Sequence, residues 1–173
     1  MERVALEQGL DHISRLTANL LRPVPIGELS VQVQVDYAGR NAGHFSAQLL
    51  AGGKEVARFT ALAQRETDVA LPEPGHPAPA SPAGPEESPR AEFPFAGPQL
   101  GYAHLVETRL ARGRFWRGPC AVWFRMRHPL LDGEATSAYQ RVAVAADSGN
   151  GVSAILDFTR YTFVNSDLTI NLL

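Results

Sequence analysis

Alternating apolar and polar positions dominate the first third of the chain and predict a series of β-strands. Between Glu28 and Tyr37, the apolar residues Leu29, Val31, Val33 and Val35 alternate with Ser30, Gln32, Gln34 and Asp36. A period of two places these two sets on opposite faces of a sheet, so we expect a half-buried strand here. Weaker forms of the same pattern predict strands over 13–21, 44–51 and 54–65.

Short turn sequences join these predicted strands into an antiparallel meander. The turn at 38–41 follows the strand 28–37, and Gly52-Gly53 is a hairpin signal between the next two strands. Arg22-Pro23-Val24-Pro25 ends the strand 13–21, because proline has no N–H to give to a strand ladder. Residues 1–10 have helical character, but a helix this short must dock against something to persist in water.

Beyond residue 100 the pattern predicts two further strands and one clear helix. The strands are expected over 102–110 and 120–127, with a turn at 112–114 between them. Small apolar residues recur at helical spacing over 134–146, and Thr136 or Ser137 is expected to cap this helix. The glycines within 147–151 are expected to supply a left-handed C-cap.

A proline-rich stretch separates the two halves. Nine of the 13 prolines lie in 71–98, a stretch that has no periodicity and is rich in Ala, Gly, Ser and Glu. This composition is typical of an extended or disordered connector. A proline-rich ligand for a partner domain is the weaker alternative. The sequence therefore divides into 1–68, a linker over 69–100, and 101–173.

Charge and cysteine content narrow the classes of function. The net charge is −2, and no basic patch interleaves with aromatic residues, so we expect no nucleic-acid partner. The single Cys120 has no partner for an internal disulfide, and no Cys/His cluster has zinc spacing. We therefore expect no metal or other cofactor and a cytoplasmic protein. No apolar run approaches the roughly 18 residues of a membrane span, and the N-terminus lacks the apolar core of a secretory signal, so no membrane partner is expected.

The last thirteen residues, Tyr161–Leu173, contain an acid in an otherwise apolar, β-prone run. Strands disfavour Asp, because its short carboxylate competes for backbone hydrogen bonds and is costly to bury. Asp167 is therefore either a solvated residue beside a turn at Asn165-Ser166 or a carboxylate held for chemistry. Its apolar neighbours Val164, Leu168 and Ile170 predict partial desolvation, which would raise its basicity.

Several segments carry a resemblance to a known family. In the second half they are Trp123–Arg125 leading to His128–Leu130, Ala145–Asp147 before Gly149–Gly151, and Asn165–Thr169. In the first half they are Leu20–Gly27, the turn at 38–40 and the Gly52-Gly53 hairpin. Together these segments resemble the thioesterase-like superfamily, and within it the type II acyl-CoA thioesterases, which have a double hotdog fold.

The resemblance implies an α+β fold in which an antiparallel sheet wraps a helix, repeated twice. Against that plan both repeats are incomplete, so 1–68 is expected to be the C-terminal part of a first hotdog repeat and 101–173 the N-terminal part of a second. Two expectations stay open: a truncated product, or a compact domain whose partial repeats complete each other's sheet. Exposed edge strands favour self-association, so a homo-oligomer is one expected state.

The resemblance also implies a function, the hydrolysis of fatty or related acyl-CoA thioesters to free acid and CoA. It places Asp167 at the family's catalytic aspartate, and a carboxylate can activate water for this attack. The family also uses a Thr or Ser and a Gln from later strands, and Thr169 is not that hydroxyl. We therefore expect weak or no hydrolysis by this chain. The alternative is a non-catalytic module that binds acyl thioesters or serves in assembly.

Other residues have weaker claims to function. No Gly-x-Ser-x-Gly sequence supports a nucleophilic serine. Asp147 is expected to be a helix-end residue, and Asn150-Gly151 a turn rather than the lining of a substrate tunnel. Three arginines could meet the phosphates of CoA but are expected to be solvated strand ends: Arg22, Arg40 and Arg125. Three further residues are expected in the core: Trp123, Phe124 and Cys120.

Overall fold

A computed structural model describes residues 1–70, 72, 81–93, 98, 100–157 and 160–173, with the side chain of Asn150 left out. Within this part the chain forms two compact units. Unit 1 consists of Met1–Pro72 and Val164–Leu173, and unit 2 of Glu73–Phe163.

Unit 1 is an antiparallel sheet with one short helix. Its elements are α1 (Glu2–Glu7), β1 (His12–Leu20), β2 (Leu29–Ala38), β3 (Ala42–Ala51), β4 (Lys54–Gln64) and a C-terminal strand, Asp167–Asn171, which is numbered β8 in chain order. The strand order is β2-β3-β4-β1-β8. All strand pairs are antiparallel, so the meander predicted from the alternating pattern is confirmed.

The turns of this sheet form where the sequence places them. Gly52 and Gly53 have φ angles of 53° and 77°, the pair of positive values that a tight two-residue hairpin needs. At the other turn the Gly39 N–H donates to the Ala42 carbonyl at 2.9 Å. Each predicted strand of the first half lies within two residues of its observed position, since alternation and turn residues agree.

The core of unit 1 lies on one face of the sheet. Phe45 and Ala63 are fully buried there, and Leu10 and Ala5 from the N-terminal segment are 1% and 0% exposed. The Leu10 N–H donates to the Ala5 carbonyl at 3.0 Å, which turns the chain back after α1 and sets Leu10 against the sheet. The short helix therefore docks, as its marginal length requires.

Unit 2 combines a smaller sheet with short helices. Its elements are β5 (Arg90–Ala91), α2 (Tyr102–Leu105), β6 (Val106–Gly113), β7 (Cys120–Met126), α3 (Ala138–Ala146) and α4 (Gly149–Val152). The three strands are antiparallel in the order β5-β6-β7. Ser137 caps α3 as predicted: its Oγ accepts from the Gln140 N–H at 3.2 Å, and the Gln140 side chain accepts from the Ser137 N–H at 3.0 Å.

Three predicted elements differ from the structure. The strand expected over 102–110 begins as helix α2, and the helix expected from 134 starts at Ala138, where the capping box fixes it. The left-handed glycine C-cap is wrong, because Asp147 closes α3 with φ −63° and ψ −22° and α4 follows at Gly149.

Residues 81–93 of the proline-rich stretch, expected to be an extended or disordered connector, make packed contacts within unit 2. Phe93 is 4% exposed, and its ring lies edge-on to Tyr102 and Phe115, with centroids 5.7 and 5.4 Å away. Ser88 is buried and donates to the Gly84 carbonyl at 2.7 Å, and β5 pairs with β6. The buried Phe93 ring and the buried Ser88 hydroxyl thus fix this part of the stretch, although its composition is typical of a connector. Leu71, 73–80, 94–97 and Gln99 lie outside the described residues.

The C-terminal segment also differs in place from the sequence-based expectation. Residues 164–173, expected with the second half, lie in unit 1, where β8 pairs along β1. The strand itself covers Asp167–Asn171 of the longer run predicted. The described part of the second half therefore contributes one strand to the sheet of the first.

Candidate functional site

Asp167 is the first residue of β8, and the alternation of that strand decides which side chains accompany it. Leu168 and Ile170 are half-buried, whereas Asp167, Thr169 and Asn171 are exposed. The carboxylate and its two polar companions therefore share one face of the sheet.

The register with β1 sets a second row of polar side chains beside the first. Arg15 lies opposite Asn171, Thr17 opposite Thr169, and Asn19 opposite Asp167. We call these six residues the polar ridge. Each pair joins a residue of one strand to its direct neighbour on the other, so the two rows lie side by side.

Two backbone hydrogen bonds show how close the facing side chains are. The Leu20 N–H donates to the Ser166 carbonyl and the Leu172 N–H to the Ser14 carbonyl, each at 2.8 Å. In an antiparallel ladder the bonded pairs alternate with non-bonded pairs, whose side chains approach more closely. The ridge pairs are the non-bonded ones, and the Oγ1 atoms of Thr17 and Thr169 lie 3.1 Å apart in a shared hydrogen bond.

The immediate surroundings of Asp167 are polar and open. The Ser166 hydroxyl donates to its Oδ1 at 3.2 Å, and Asn19 lies across from it on β1. The expectation of a partly desolvated carboxylate is wrong for this structure: Asp167 is exposed, and Val164 is 82% exposed. The apolar residues Leu168 and Ile170 point to the other face, because neighbours in a strand alternate.

The two strands of the ridge carry an internal repeat. Leu16–Leu21 reads LTANLL and Leu168–Leu173 reads LTINLL, identical at five of six positions. Because Thr17 pairs with Thr169, the repeat copies face each other about a local twofold axis. Under this axis Arg15 is the counterpart of Asp167, so only one of the two equivalent positions holds a carboxylate. A search for repeats would have found Thr17 and Asn19, which pattern reasoning missed.

The arginines considered for phosphate binding divide between the two units. In unit 1, Arg22 Nη1 donates to the Glu55 carbonyl at 2.6 Å, and Arg40 is exposed with its carbonyl accepting from Arg65 Nε at 3.0 Å. In unit 2, Arg125 pairs with Glu86 at 2.6 Å. Within the described structure, Arg22 and Arg40 thus belong to a different unit from Arg125.

The three residues expected in the core are all less buried than predicted. Trp123 is 39% exposed, with Nε1 donating to the Ala83 carbonyl at 2.8 Å, so its core assignment is wrong. Phe124 and Cys120 are half-buried. The Cys120 thiol donates to the Val152 carbonyl at 3.3 Å, and desolvation raises its pKa, which makes it a poor nucleophile.

The loop candidates lie at the end of α3 and within α4. Asp147 ends α3, as expected of a helix-end residue. Asn150-Gly151 lies in α4 rather than in the expected turn, and a Cβ at Gly151 would meet no atom within 4 Å. The Tyr102 hydroxyl bridges the Val144 carbonyl at 3.0 Å and Ser148 Oγ at 2.7 Å, and desolvation raises its pKa.

Metal-site clusters and membrane-spanning helices are both absent from the described residues. Over 1–70, 72, 81–93, 98, 100–157 and 160–173, no cluster of three or more His, Cys, Asp or Glu has the arrangement of a metal site. In the same part of the chain, no helix has the length and apolar character needed to cross a bilayer.

Family comparisons match both halves of the chain. Residues 1–64 match the acyl-CoA thioesterase N-terminal domain, and residues 82–173, more than half of the 173 residues, match the acyl-CoA thioesterase C-terminal domain. The chain belongs to the acyl-CoA thioesterase family. The resemblance inferred from the sequence is therefore confirmed. No curated protein matches the chain.

Solved structures establish the fold of this thioesterase-family chain. A hotdog-fold protein of unknown function from Alicyclobacillus acidocaldarius is 19% identical, with a TM-score of 0.56 over 77% of this chain and 49% of that one. An acyl-CoA thioesterase II from Mycobacterium marinum is 17% identical, with a TM-score of 0.54 over 86% of this chain and 56% of that one. A candidate thioesterase II from Thermobifida fusca is 17% identical, with a TM-score of 0.64 over 98% and 64%.

These likenesses confirm the predicted α+β hotdog class, since the sequence identities are low and the shared feature is the fold. The chain spans about half to two thirds of the length of the structures it matches, between 49% and 64%. What the longer proteins do as a whole therefore comes to this chain only as a proposal.

Proposed function

We propose that the protein hydrolyses fatty or related acyl-CoA thioesters to free acid and CoA, slowly because its catalytic set is incomplete, with Asp167 as the carboxylate that activates water. The observation that supports this most is the combination of thioesterase domain matches on both halves with a carboxylate at the exposed start of β8. An exposed carboxylate is reachable by water and by a thioester that binds along the polar ridge.

The proposed step is general-base hydrolysis. One oxygen of Asp167 accepts a proton from water while the water oxygen attacks the thioester carbonyl carbon. The C–S bond then breaks, the free acid forms, and the CoA thiolate takes up the proton. Ser166 donates to Oδ1 at 3.2 Å, which leaves Oδ2 for the water.

Asn19 is proposed to hold the carboxylate in place. It lies opposite Asp167 in a pair of the closer type, and its amide group can donate to a carboxylate oxygen. The repeat places Arg15, not an acid, at the other equivalent position. We therefore propose one reactive carboxylate on the ridge.

The alternative is a non-catalytic module that binds acyl thioesters. The exposure of Asp167 favours it, since the carboxylate lies open to solvent rather than in an enclosed site. We also propose a cytoplasmic location and a homo-oligomer joined through the sheet edges β2 and β8. The proposed hotdog repeats cover 1–68 and 101–173.

Turnover and binding measured side by side separate the two functions. The purified chain is incubated with octanoyl-CoA, and released thiol is followed with a thiol reagent, with p-nitrophenyl octanoate as an ester that lacks CoA. A thioether analogue of octanoyl-CoA reports binding without hydrolysis. We expect slow thiol release that still exceeds the buffer rate, and a preference for the CoA substrate. Binding of the analogue without any turnover would favour the binding module, and the absence of both would overturn the proposal.

A further inference from the structure

A cleft in unit 2 is lined by more arginines than nearby carboxylates. It has a volume of about 460 Å³, within the range of small-molecule sites. Arg109, Arg125, Arg127 and Arg141 line it, and Glu107 is the acidic residue among its described lining. We call it the arginine cleft.

Strand register explains why these groups share one face. Trp123 and Arg125 have the same parity on β7, which continues to Arg127 just past the strand. Arg109 and Glu107 on β6 lie directly opposite Trp123 and Arg125. The Trp123 indole therefore lies beside the guanidinium groups of Arg109 and Arg125. Its strand, β7, is the outermost of the described three-stranded sheet.

Two of the four arginines are neutralised by carboxylates. Arg109 Nε pairs with Glu107 at 2.7 Å, and Arg109 Nη1 lies 3.9 Å from Glu86. Arg125 Nη2 pairs with Glu86 at 2.6 Å. The hydrogen bond from Arg125, with the charge of Arg109, holds the pKa of Glu86 below its usual value, so this carboxylate is ionised at neutral pH.

The other two arginines, Arg127 and Arg141, have N–H donors available for a ligand. Among the described residues, no carboxylate lies within 4 Å of Arg127 or Arg141. Arg141 Nη1 donates to the Thr136 carbonyl at 3.0 Å, which fixes the side chain and leaves most of its five N–H donors unused. Guanidinium groups with open donors suit the paired oxygens of a phosphate.

Trp123 adds an apolar surface to this charge. Its bond from Nε1 to the Ala83 carbonyl, 2.8 Å long, orients the ring, and 39% of the residue stays exposed. Aromatic faces stack on nucleobases and are sequence-tolerant partners for them. A phosphate site next to an oriented indole is suited to a phosphorylated nucleoside rather than to a bare anion.

We propose that the arginine cleft binds a phosphorylated adenosine, with Arg127 and Arg141 on phosphate oxygens and Trp123 against the base. On the proposed function, on which this choice rests, the source is the nucleotide end of CoA. A free adenine nucleotide has the same chemistry and is the other source. Glu86 forms an ion pair with Arg125 and so competes with the phosphate for it. Removing the charge of Glu86 therefore strengthens binding of the nucleotide.

Calorimetric titration of the full chain with free CoA at low ionic strength tests the proposal. Arg127→Ala and Arg141→Ala are each expected to weaken CoA binding about tenfold, the usual effect of losing a hydrogen bond to a charged group. Arg114→Ala removes the same charge from an exposed position outside the cleft lining and should leave the affinity within about twofold. Glu86→Gln is expected to tighten binding several-fold.

The ligand series distinguishes the sources of the phosphate. Dephospho-CoA, ADP, pantetheine and pyrophosphate are titrated in parallel. Loss of affinity in the arginine variants for CoA but not for pantetheine supports the site. ADP binding that equals CoA and depends on the same arginines, with no acyl-CoA turnover, keeps the nucleotide site and rejects the proposed function. CoA affinity unchanged in Arg127→Ala and Arg141→Ala, pyrophosphate binding as tight as CoA, or no binding of any nucleotide overturns the site, whatever the turnover.

Discussion

Replacing Phe45 with alanine is expected to lower the free energy of unfolding by about 3 to 5 kcal/mol, the usual range for a buried phenylalanine. Phe45 is 0% exposed on β3, and it and Leu10 are the largest fully buried side chains among the described residues. The substitution removes the ring and leaves a cavity that the flanking strands β2 and β4 cannot close. Natural domains are stable by about 5 to 15 kcal/mol, so this loss is large.

Denaturant unfolding followed by far-UV circular dichroism measures the effect. Val31→Thr is the control, because Val31 belongs to the same sheet, is 61% exposed, and keeps a β-branched side chain in the variant. We expect it to change stability by less than about 0.5 kcal/mol. Equal midpoints for Phe45→Ala and the unchanged protein would contradict a core centred on Phe45.

Alanine at Gly113 is expected to destabilise unit 2 by about 3 kcal/mol, from two separate causes. Gly113 has a φ of 83°, a conformation that costs an L-residue roughly 1 to 2 kcal/mol. A Cβ there would also lie 2.9 Å from the Cα of Cys120 and closer still to the Pro119 carbonyl oxygen. Both contacts are with backbone, which cannot move aside as a flexible side chain would.

Gly133→Ala separates these causes. Gly133 has a similar φ of 74°, but a Cβ there would meet nothing within 4 Å. It should therefore cost only the backbone strain, about 1 kcal/mol. Both tryptophans, Trp116 and Trp123, lie in unit 2, so intrinsic fluorescence reports its unfolding. If the two alanine variants unfold at the same denaturant concentration, the close approach at Gly113 is not real.

Local signals predict the first half of the chain well. Strand alternation and the Gly52-Gly53 hairpin are properties of neighbouring residues, so the sequence contains them directly, and all four strands appear where expected. Phe93 shows the opposite case. Its ring contacts Tyr102 and Phe115, which lie outside the proline-rich stretch, so the composition of that stretch alone does not reveal the contact.

Partner choice of the last strand is a second feature that local pattern does not decide. The run around Asp167 predicts a strand, but an apolar strand does not specify its neighbour. The repeat LTANLL and LTINLL carries that information, since it identifies β1 as the twofold counterpart of β8. Asp167 is exposed because the alternation along β8 places it on the face opposite Leu168 and Ile170. The flanking apolar residues fall on the other face, so their presence in the sequence did not predict burial of the carboxylate.

The arginine cleft was only partly visible in the sequence. Arg125 was a candidate for phosphate, but Arg127 and Arg141 were not, since one lies just past a strand and the other on a helix. What distinguishes them is the distribution of carboxylates: Glu86 and Glu107 pair with Arg109 and Arg125. Such pairing depends on the tertiary structure.

Asp167 is proposed to activate water for thioester hydrolysis, and the Asp167→Asn variant tests this role most directly. Octanoyl-CoA turnover is compared between this variant, the unchanged chain and Asp36→Asn, a control at another exposed strand carboxylate that accepts from a serine hydroxyl, here at 2.8 Å. We predict that Asp167→Asn lowers kcat about 100-fold or more, as loss of a general base does, with binding of the thioether analogue retained and Asp36→Asn unchanged. Equal kcat for Asp167→Asn and the unchanged chain would contradict the account.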